Sequence, residues 1–145
     1  MNEILEYIES KHDKALTKQE IHMLNPLVLA YIGDAVYECY IRKYLLATQG
    51  TLVNQLHNHA TKFVKAEAQA TIVHSILENL TEEEVTIVKR GRNSKSGSVP
   101  KNANLSDYKY ATGFEALMGY LYLIGSQERL LDLISKAIKL VEGRG

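Results

Sequence analysis

One long helical segment, residues 26–47, sets the strongest constraint on how this chain folds. Asn25 followed by Pro26 is a strong helix start, because asparagine caps the first turn and proline has the backbone angle of the first helical position. Apolar residues then recur at three- and four-residue steps until shortly before Gly50, which predicts an apolar stripe facing a core. The predicted stripe consists of Leu27, Tyr31, Ala35, Val36, Cys39, Tyr40 and Tyr44.

The rest of the chain also has a helical pattern. The 145 residues contain only two prolines, and strand-like alternation is scarce. Capping-box sequences at residues 17–20 and 81–84 each predict the start of a helix. We therefore expect an all-α bundle, with residues 1–145 as a single domain. The predicted helices cover residues 3–10, a short stretch from 17, 26–47, 52–80 with a break near His59 or Ala60, 81–92, 106–124 capped by Ser106, and 126–141.

Composition restricts the cellular setting more than the function. The 17 basic and 17 acidic side chains cancel, so net charge alone predicts no partner. Cys39 is the single cysteine and cannot form an intrachain disulfide, and no cleavable signal opens the sequence. The longest uncharged run, residues 116–127, is too short to span a bilayer. These features predict a cytoplasmic protein without a membrane partner.

Two acidic residues lie in otherwise apolar helices. Asp34 follows residues 30–33 (AYIG), and Glu115 is the one charge in the segment from 110 to 124. The pattern around Asp34 otherwise predicts a buried helix, and a lone acid in such a helix is more often a buried hydrogen-bonding residue than a catalytic one. Two such acids brought together require a counter-charge, and oxygen-only ligation favours magnesium, which typically takes one or two carboxylates and keeps several waters. We therefore interpret Asp34 and Glu115 as candidate metal ligands and catalytic residues.

A basic segment separates the last two helical regions from the rest. No acid occurs between Glu84 and Asp107, and residues 93–105 lack periodicity and are expected to form a loop. Such a segment suits phosphate contacts that position a nucleic acid without reading its sequence, although a merely solvated loop would look the same. It has no aromatic residue for base stacking, which favours a duplex over a single strand. The candidate RNA-binding residues are Lys89, Arg90, Arg92, Asn93, Lys95, Ser96, Lys101 and Asn102.

Three motifs together resemble the ribonuclease III family. The sequence LAYIGDAVYE is similar to the signature helix of its catalytic domains, and FEALMGYLYL is similar to the second acidic helix. The basic stretch KRGRNSKSGSVPKN and the small size resemble the Mini-ribonuclease III branch in particular. The resemblance covers residues 25–141.

The resemblance implies the ribonuclease III catalytic fold, a homodimer with two-fold symmetry, and hydrolysis of double-stranded RNA that depends on Mg²⁺, with Mn²⁺ as a possible substitute. For this branch it further implies 5′-phosphate products and maturation of the 23S ribosomal RNA precursor, with possible help from a ribosomal protein. Asp34 and Glu115 match the family's aspartate and glutamate. Two further family carboxylates fall here on Ala30 and Thr112, so the number of metal ions stays open.

Two alternatives remain at the level of the sequence. The same fold could be a catalytically reduced dimer that holds RNA during ribosome assembly, with Ala30 and Thr112 as signs of a decayed centre. It could also be a helical protein-interaction domain in which Asp34 and Glu115 are structural. Cleavage of duplex RNA would exclude the RNA-holding dimer. Salt-sensitive binding of duplex RNA would exclude the protein-interaction domain.

Overall fold

The chain folds into a helical bundle, as the sequence predicts. The computed structural model describes residues 3–4, 16–94, 99 and 101–143, and within these residues it contains no strand. The predicted helix at 3–10 lies mostly outside the described residues. The helices are α1 Lys18–His22, α2 Pro26–Gln49, α3 Val53–Val64, α4 Ala66–Ile76, α5 Glu82–Arg92, α6 Leu105–Leu123 and α7 Gln127–Val141, with one 3₁₀ turn at Leu77–Asn79.

Both predicted capping boxes are confirmed. The Thr17 hydroxyl accepts the main-chain N–H of Glu20, whose carboxylate accepts the main-chain N–H of Thr17. Thr81 and Glu84 form the same reciprocal pair at the start of α5. Each pair satisfies two main-chain donors that the first turn of a helix leaves unpaired, so local sequence alone fixes these two starts.

Two predicted boundaries are wrong. The segment 52–80 breaks at Lys65, where the backbone is extended, and not at His59 or Ala60, which lie inside α3. No side-chain cap bond marks Lys65, so capping residues in the sequence do not predict this break. Helix α6 is capped by Asn104, whose side chain accepts the Asp107 N–H at 3.0 Å, and not by Ser106.

Helix α6 is the centre of the bundle, and α2 crosses it at two glycines. A Cβ on Gly33 would overlap the main-chain oxygen of Glu115 and lie 2.7 Å from the main-chain nitrogen of Gly119. A Cβ on Gly119 would overlap the main-chain oxygen of Leu29. The two backbones therefore touch, which no side chain at either position would permit.

This crossing explains why the predicted apolar stripe of α2 is only partly correct. Val36, Tyr40 and Tyr44 are half-buried against the core, as predicted. The residues buried along α2 are Leu29, Ala30, Gly33, Tyr37, Ile41 and Leu45. Tyr31, Ala35 and Cys39 are exposed instead, and Tyr31 retains 79% of its accessible surface. Because apolar residues cover more than one side of α2, periodicity alone does not select the buried side. The side that carries Gly33 packs inward because only it allows the close approach to α6.

Candidate functional site

The α2–α6 crossing brings the two predicted metal ligands together. Asp34 directly follows Gly33, which lies against the main chain of Glu115. The Asp34 carboxyl is near enough to Glu115 to raise its pKa through a hydrogen bond and charge repulsion. Asp34 is exposed and Glu115 is partly buried, so the expectation that Asp34 occupies a buried part of its helix is wrong. The pair lies at an accessible edge of the bundle, where a cation or a substrate can reach it.

The environment of Glu115 disfavours its charged form. Burial, followed by a shared hydrogen bond and charge repulsion with the neighbouring Asp34 carboxylate, raises the pKa of Glu115 to about 8. Glu38, one turn beyond Asp34 on α2, adds a weaker repulsion although it is paired with Arg42 at 2.8 Å. These clustered carboxylates create excess negative charge at the site, and a bound divalent cation would neutralise it.

Gln69 is a third polar residue at this site, and the sequence analysis missed it. It lies on α4 with 1% of its surface exposed, and its amide lowers the pKa of Glu115, opposite to the effect of Asp34. Its Nε2 nevertheless has no hydrogen-bond partner among the described residues. A glutamine among alanines 66, 68 and 70 is a visible signal, but its orientation depends on the break at Lys65, which the sequence analysis misplaced.

Ala30 and Thr112, which replace the two further carboxylates of the family, supply no negative charge for a metal ion. The Ala30 side chain is apolar, and the residue is 8% exposed. The Thr112 hydroxyl donates to the main-chain oxygen of Tyr108 at 3.0 Å, one turn earlier on α6. Within the described ranges, no group of three or more His, Cys, Asp and Glu residues could hold a metal ion. A hard cation that accepts two carboxylate oxygens and keeps its waters fits this pair, and Mg²⁺ has these properties.

The raised pKa of Glu115 has a measurable consequence for stability. The folded protein retains the Glu115 proton up to about pH 8, whereas the unfolded chain releases it near 4.5. The native state therefore binds more protons in this window, and its stability falls as pH rises, by at most about 1.4 kcal/mol per pH unit.

This loss of stability can be measured by comparing the wild type with Glu115→Gln in chelator. The free energy of unfolding in urea is determined for both proteins from pH 4.5 to 8. The wild type should lose free energy of unfolding relative to the variant as pH rises. Parallel curves for the two proteins would contradict the assignment.

The basic end of α5 packs closely on α6, the helix that carries Glu115. A Cβ on Gly91 would lie 2.8 Å from the Cα of Gly113, two residues before Glu115. The end of α5 carries the three basic residues Lys89, Arg90 and Arg92. The helix that carries these basic residues therefore contacts the helix that carries Glu115.

Most of the candidate RNA-binding residues that the structure describes are exposed. Lys89, Asn93, Lys101 and Asn102 are all exposed, and Asn102 has a positive φ of 75°. Lys95 and Ser96 lie outside the described residues. The exposed side chains are free to approach a phosphate backbone, and their RNA contacts remain predictions.

Two of the candidate arginines already have partners within the protein. Arg90 donates to the main-chain oxygens of His22 and Leu24, the latter at 3.0 Å, and so holds the α1–α2 connection against α5. Arg92 donates to the Asn93 side chain at 3.1 Å and lies 5.6 Å from the centre of the Tyr110 ring. Their predicted RNA contacts are untested, but several of their N–H groups are engaged.

Comparisons with known proteins identify the class that this fold and site define. Residues 27–126 match the family described as Ribonuclease III domain. The chain is 50% identical over 127 residues to "Mini-ribonuclease 3" of Clostridium tetani, covering 87% of this chain and 84% of that one. It is 51% identical over 125 residues to "Mini-ribonuclease 3" of Enterococcus faecalis, covering 85% and 95% of the two chains. The crystal structure of a Fusobacterium nucleatum protein superposes with a TM-score of 0.73 at 35% identity, covering 81% of this chain and 93% of that chain.

The chain therefore belongs to the ribonuclease III family and, within it, to the Mini-ribonuclease III branch. This confirms the predicted fold and the predicted class of enzyme, an endoribonuclease. In the described part of the chain, no helix is both long enough and apolar enough to cross a membrane.

Proposed function

We propose that this protein cleaves double-stranded RNA with a magnesium ion held by Asp34 and Glu115, and that it matures the 23S ribosomal RNA precursor in the cytoplasm. The convergence of the two carboxyl groups at the α2–α6 crossing carries the proposal. The names of its relatives support the reaction class. The assignment of the 23S ribosomal RNA precursor as the physiological substrate rests on the family resemblance alone.

The reaction is the hydrolysis of a phosphodiester. Water adds to phosphorus, the bond to the 3′ oxygen breaks, and the products carry a 5′ phosphate and a 3′ hydroxyl. A bound magnesium ion would supply positive charge for the phosphoryl oxygens and a water of lowered pKa. The protein's part is to hold both carboxylates at one place, with Asp34 facing solvent and Glu115 fixed in the bundle.

The exposed end of α5 and the following loop would bind the phosphates on either side of the cleaved bond. Lys89 and Lys101 supply exposed charge, and Asn93 and Asn102 supply exposed donors. A-form RNA is recognised mainly by shape, phosphates and 2′ hydroxyls, so we expect modest sequence preference and binding that weakens with salt. The selection of one transcript would then depend on the structure of that RNA or on a ribosomal protein bound to it.

The protein would act as a homodimer through the exposed apolar side of α2. Tyr31 is 79% exposed and Val28 47% exposed, and Ala35 and Cys39 continue the same exposed line. Large exposed apolar side chains in a row are characteristic of an association surface. Two copies related by a two-fold axis would place one site against each strand of a duplex. Asp34 adjoins this surface, so dimerisation and cleavage should be linked.

We expect Tyr31→Ser to weaken the dimer at least about a hundredfold. Burying one large side chain contributes about 1.5–3 kcal/mol, and a two-fold interface loses two of them. Analytical ultracentrifugation measures the dissociation constant. Tyr122→Ser is the matched control, because Tyr122 is also an exposed tyrosine, 53% exposed, but lies on α6. An unchanged dimer in Tyr31→Ser would place the interface elsewhere.

Digestion of long duplex RNA tests the proposed function. Purified protein is incubated with the RNA in Mg²⁺ and, in parallel, in excess chelator. Fragments with 5′ phosphates that form only with Mg²⁺ support the enzyme. The lack of carboxylates at Ala30 and Thr112 favours a second candidate, an RNA-holding dimer without activity, and duplex binding without fragments would establish it. If the protein neither binds nor cleaves the duplex, the protein-interaction alternative is the one that remains.

A further inference from the structure

Gln69 is a buried polar residue that the proposed reaction leaves unexplained. In the part of the chain that the structure describes, the buried polar side chains are those of Gln69 and Glu84. Glu84 is well bonded, since it accepts two N–H groups of Arg129 at 2.8 and 2.9 Å and the main-chain N–H of Thr81 at 2.9 Å. The Nε2 of Gln69, in contrast, has no partner within these residues. Because buried donors are nearly always bonded in native proteins, this one requires an explanation.

The position of Gln69 points to Glu115 as the missing partner. Gln69 extends from α4, which packs on the central helix α6. Its amide lies beside the Glu115 carboxyl and favours the charged form of that group. Its neighbours one turn away within α4, Ala66, Ile72 and Val73, are apolar, so the amide has no polar partner among them.

An amide is chemically suited to this place. Asp34 and Glu115 already repel each other, and a third carboxylate would increase that repulsion. An amide N–H can orient a carboxylate without adding charge. Outer hydrogen bonds of this kind hold metal ligands in the required direction, and their loss typically lowers metal affinity by 10- to 100-fold.

We propose that Gln69 is a positioning residue for the metal ligand Glu115. Its Nε2 donates a hydrogen bond to one Glu115 oxygen when the cation is bound, and the other oxygen faces Asp34 and the cation. The proposal rests on the magnesium site of the proposed function.

Gln69→Met is the decisive variant, because methionine has nearly the same length and shape but no donor. We expect it to fold with unchanged or higher thermal stability in chelator, since replacing an unpaired buried amide by an apolar group costs little. Its affinity for Mg²⁺, measured by titration calorimetry, should fall at least tenfold. Activity on duplex RNA should recover as Mg²⁺ is raised. The matched control Gln127→Met, at an exposed position on α7, should bind Mg²⁺ as the wild type does.

The outcomes separate this inference from the proposed function. Wild-type affinity in a folded Gln69→Met would overturn the inference and leave the metal site intact. A variant that loses stability but keeps its Mg²⁺ affinity would show a purely structural role and overturn it equally. Absence of Mg²⁺ binding in the wild type would overturn both proposals.

A measurement on the wild type avoids dependence on the folding of the variant. The side-chain amide resonance of Gln69 is followed by NMR during titration with Mg²⁺. One Nε2 proton should move downfield as its hydrogen bond to Glu115 forms, and this shift should be absent from Asp34→Asn. An amide resonance that does not respond to saturating Mg²⁺ would refute the positioning role.

Discussion

The Asp34→Asn variant should lose at least about a thousandfold in the rate of duplex cleavage while remaining folded. The amide has the size of the carboxylate but lacks its charge, so the site retains one anionic ligand. Losing several kcal/mol of charge stabilisation in the transition state corresponds to a rate loss of this size. Single-turnover cleavage of a labelled duplex at saturating protein measures the chemical step separately from RNA binding.

The same variant should be at least as stable as the wild type in chelator at pH 9, where Glu115 is charged in the folded protein. The Asp34 carboxylate repels the charged Glu115, so removing it relieves a cost that the folded protein carries above about pH 8. Thermal unfolding with and without Mg²⁺ tests this, and the stabilisation by Mg²⁺ should disappear in Asp34→Asn. Asp132→Asn is the matched control, because Asp132 lies in exposed ion pairs with Arg129 and Lys136 on α7. Magnesium-dependent cleavage that survives in Asp34→Asn would refute the site.

Gly33→Ala should have the largest effect on stability. The added Cβ would overlap the main-chain oxygen of Glu115, and main chain cannot rotate away as a side chain can. Overpacking of a tight core typically costs about 1–3 kcal/mol and occasionally more, and we expect the upper end here because the obstacle is backbone. The free energy of unfolding, measured with urea, gives this cost.

Activity in Gly33→Ala should fall beyond what the unfolded fraction explains, because separating α2 from α6 also separates Asp34 from Glu115. Activity is therefore corrected for the folded fraction, determined by circular dichroism. Ala47→Ser adds one atom at an exposed position of the same helix and should change stability by less than about 0.5 kcal/mol. A Gly33→Ala protein with wild-type stability would mean that the helices do not touch at this point.

The local features of the fold followed from the sequence because they depend on neighbouring residues. Thr17, Thr81 and Asn25 each bond the first turn of their own helix, so a short stretch suffices to predict them. The Glu38–Arg42 pair, four residues apart on one helix, is of the same kind. The boundaries that failed, at Lys65 and Asn104, depend on packing or on a choice between adjacent capping residues.

The sequence by itself determined the helical class, the family, and the identity of Asp34 and Glu115 as candidate ligands. Only the tertiary structure decided which side of α2 is buried, that Gln69 faces Glu115, and that two of the basic residues are engaged within the protein. The physical reason is the contact of α2 and α6 through Gly33 and Gly119. An apolar pattern records which residues can be buried, but the backbone approach that selects among them is a property of two helices together.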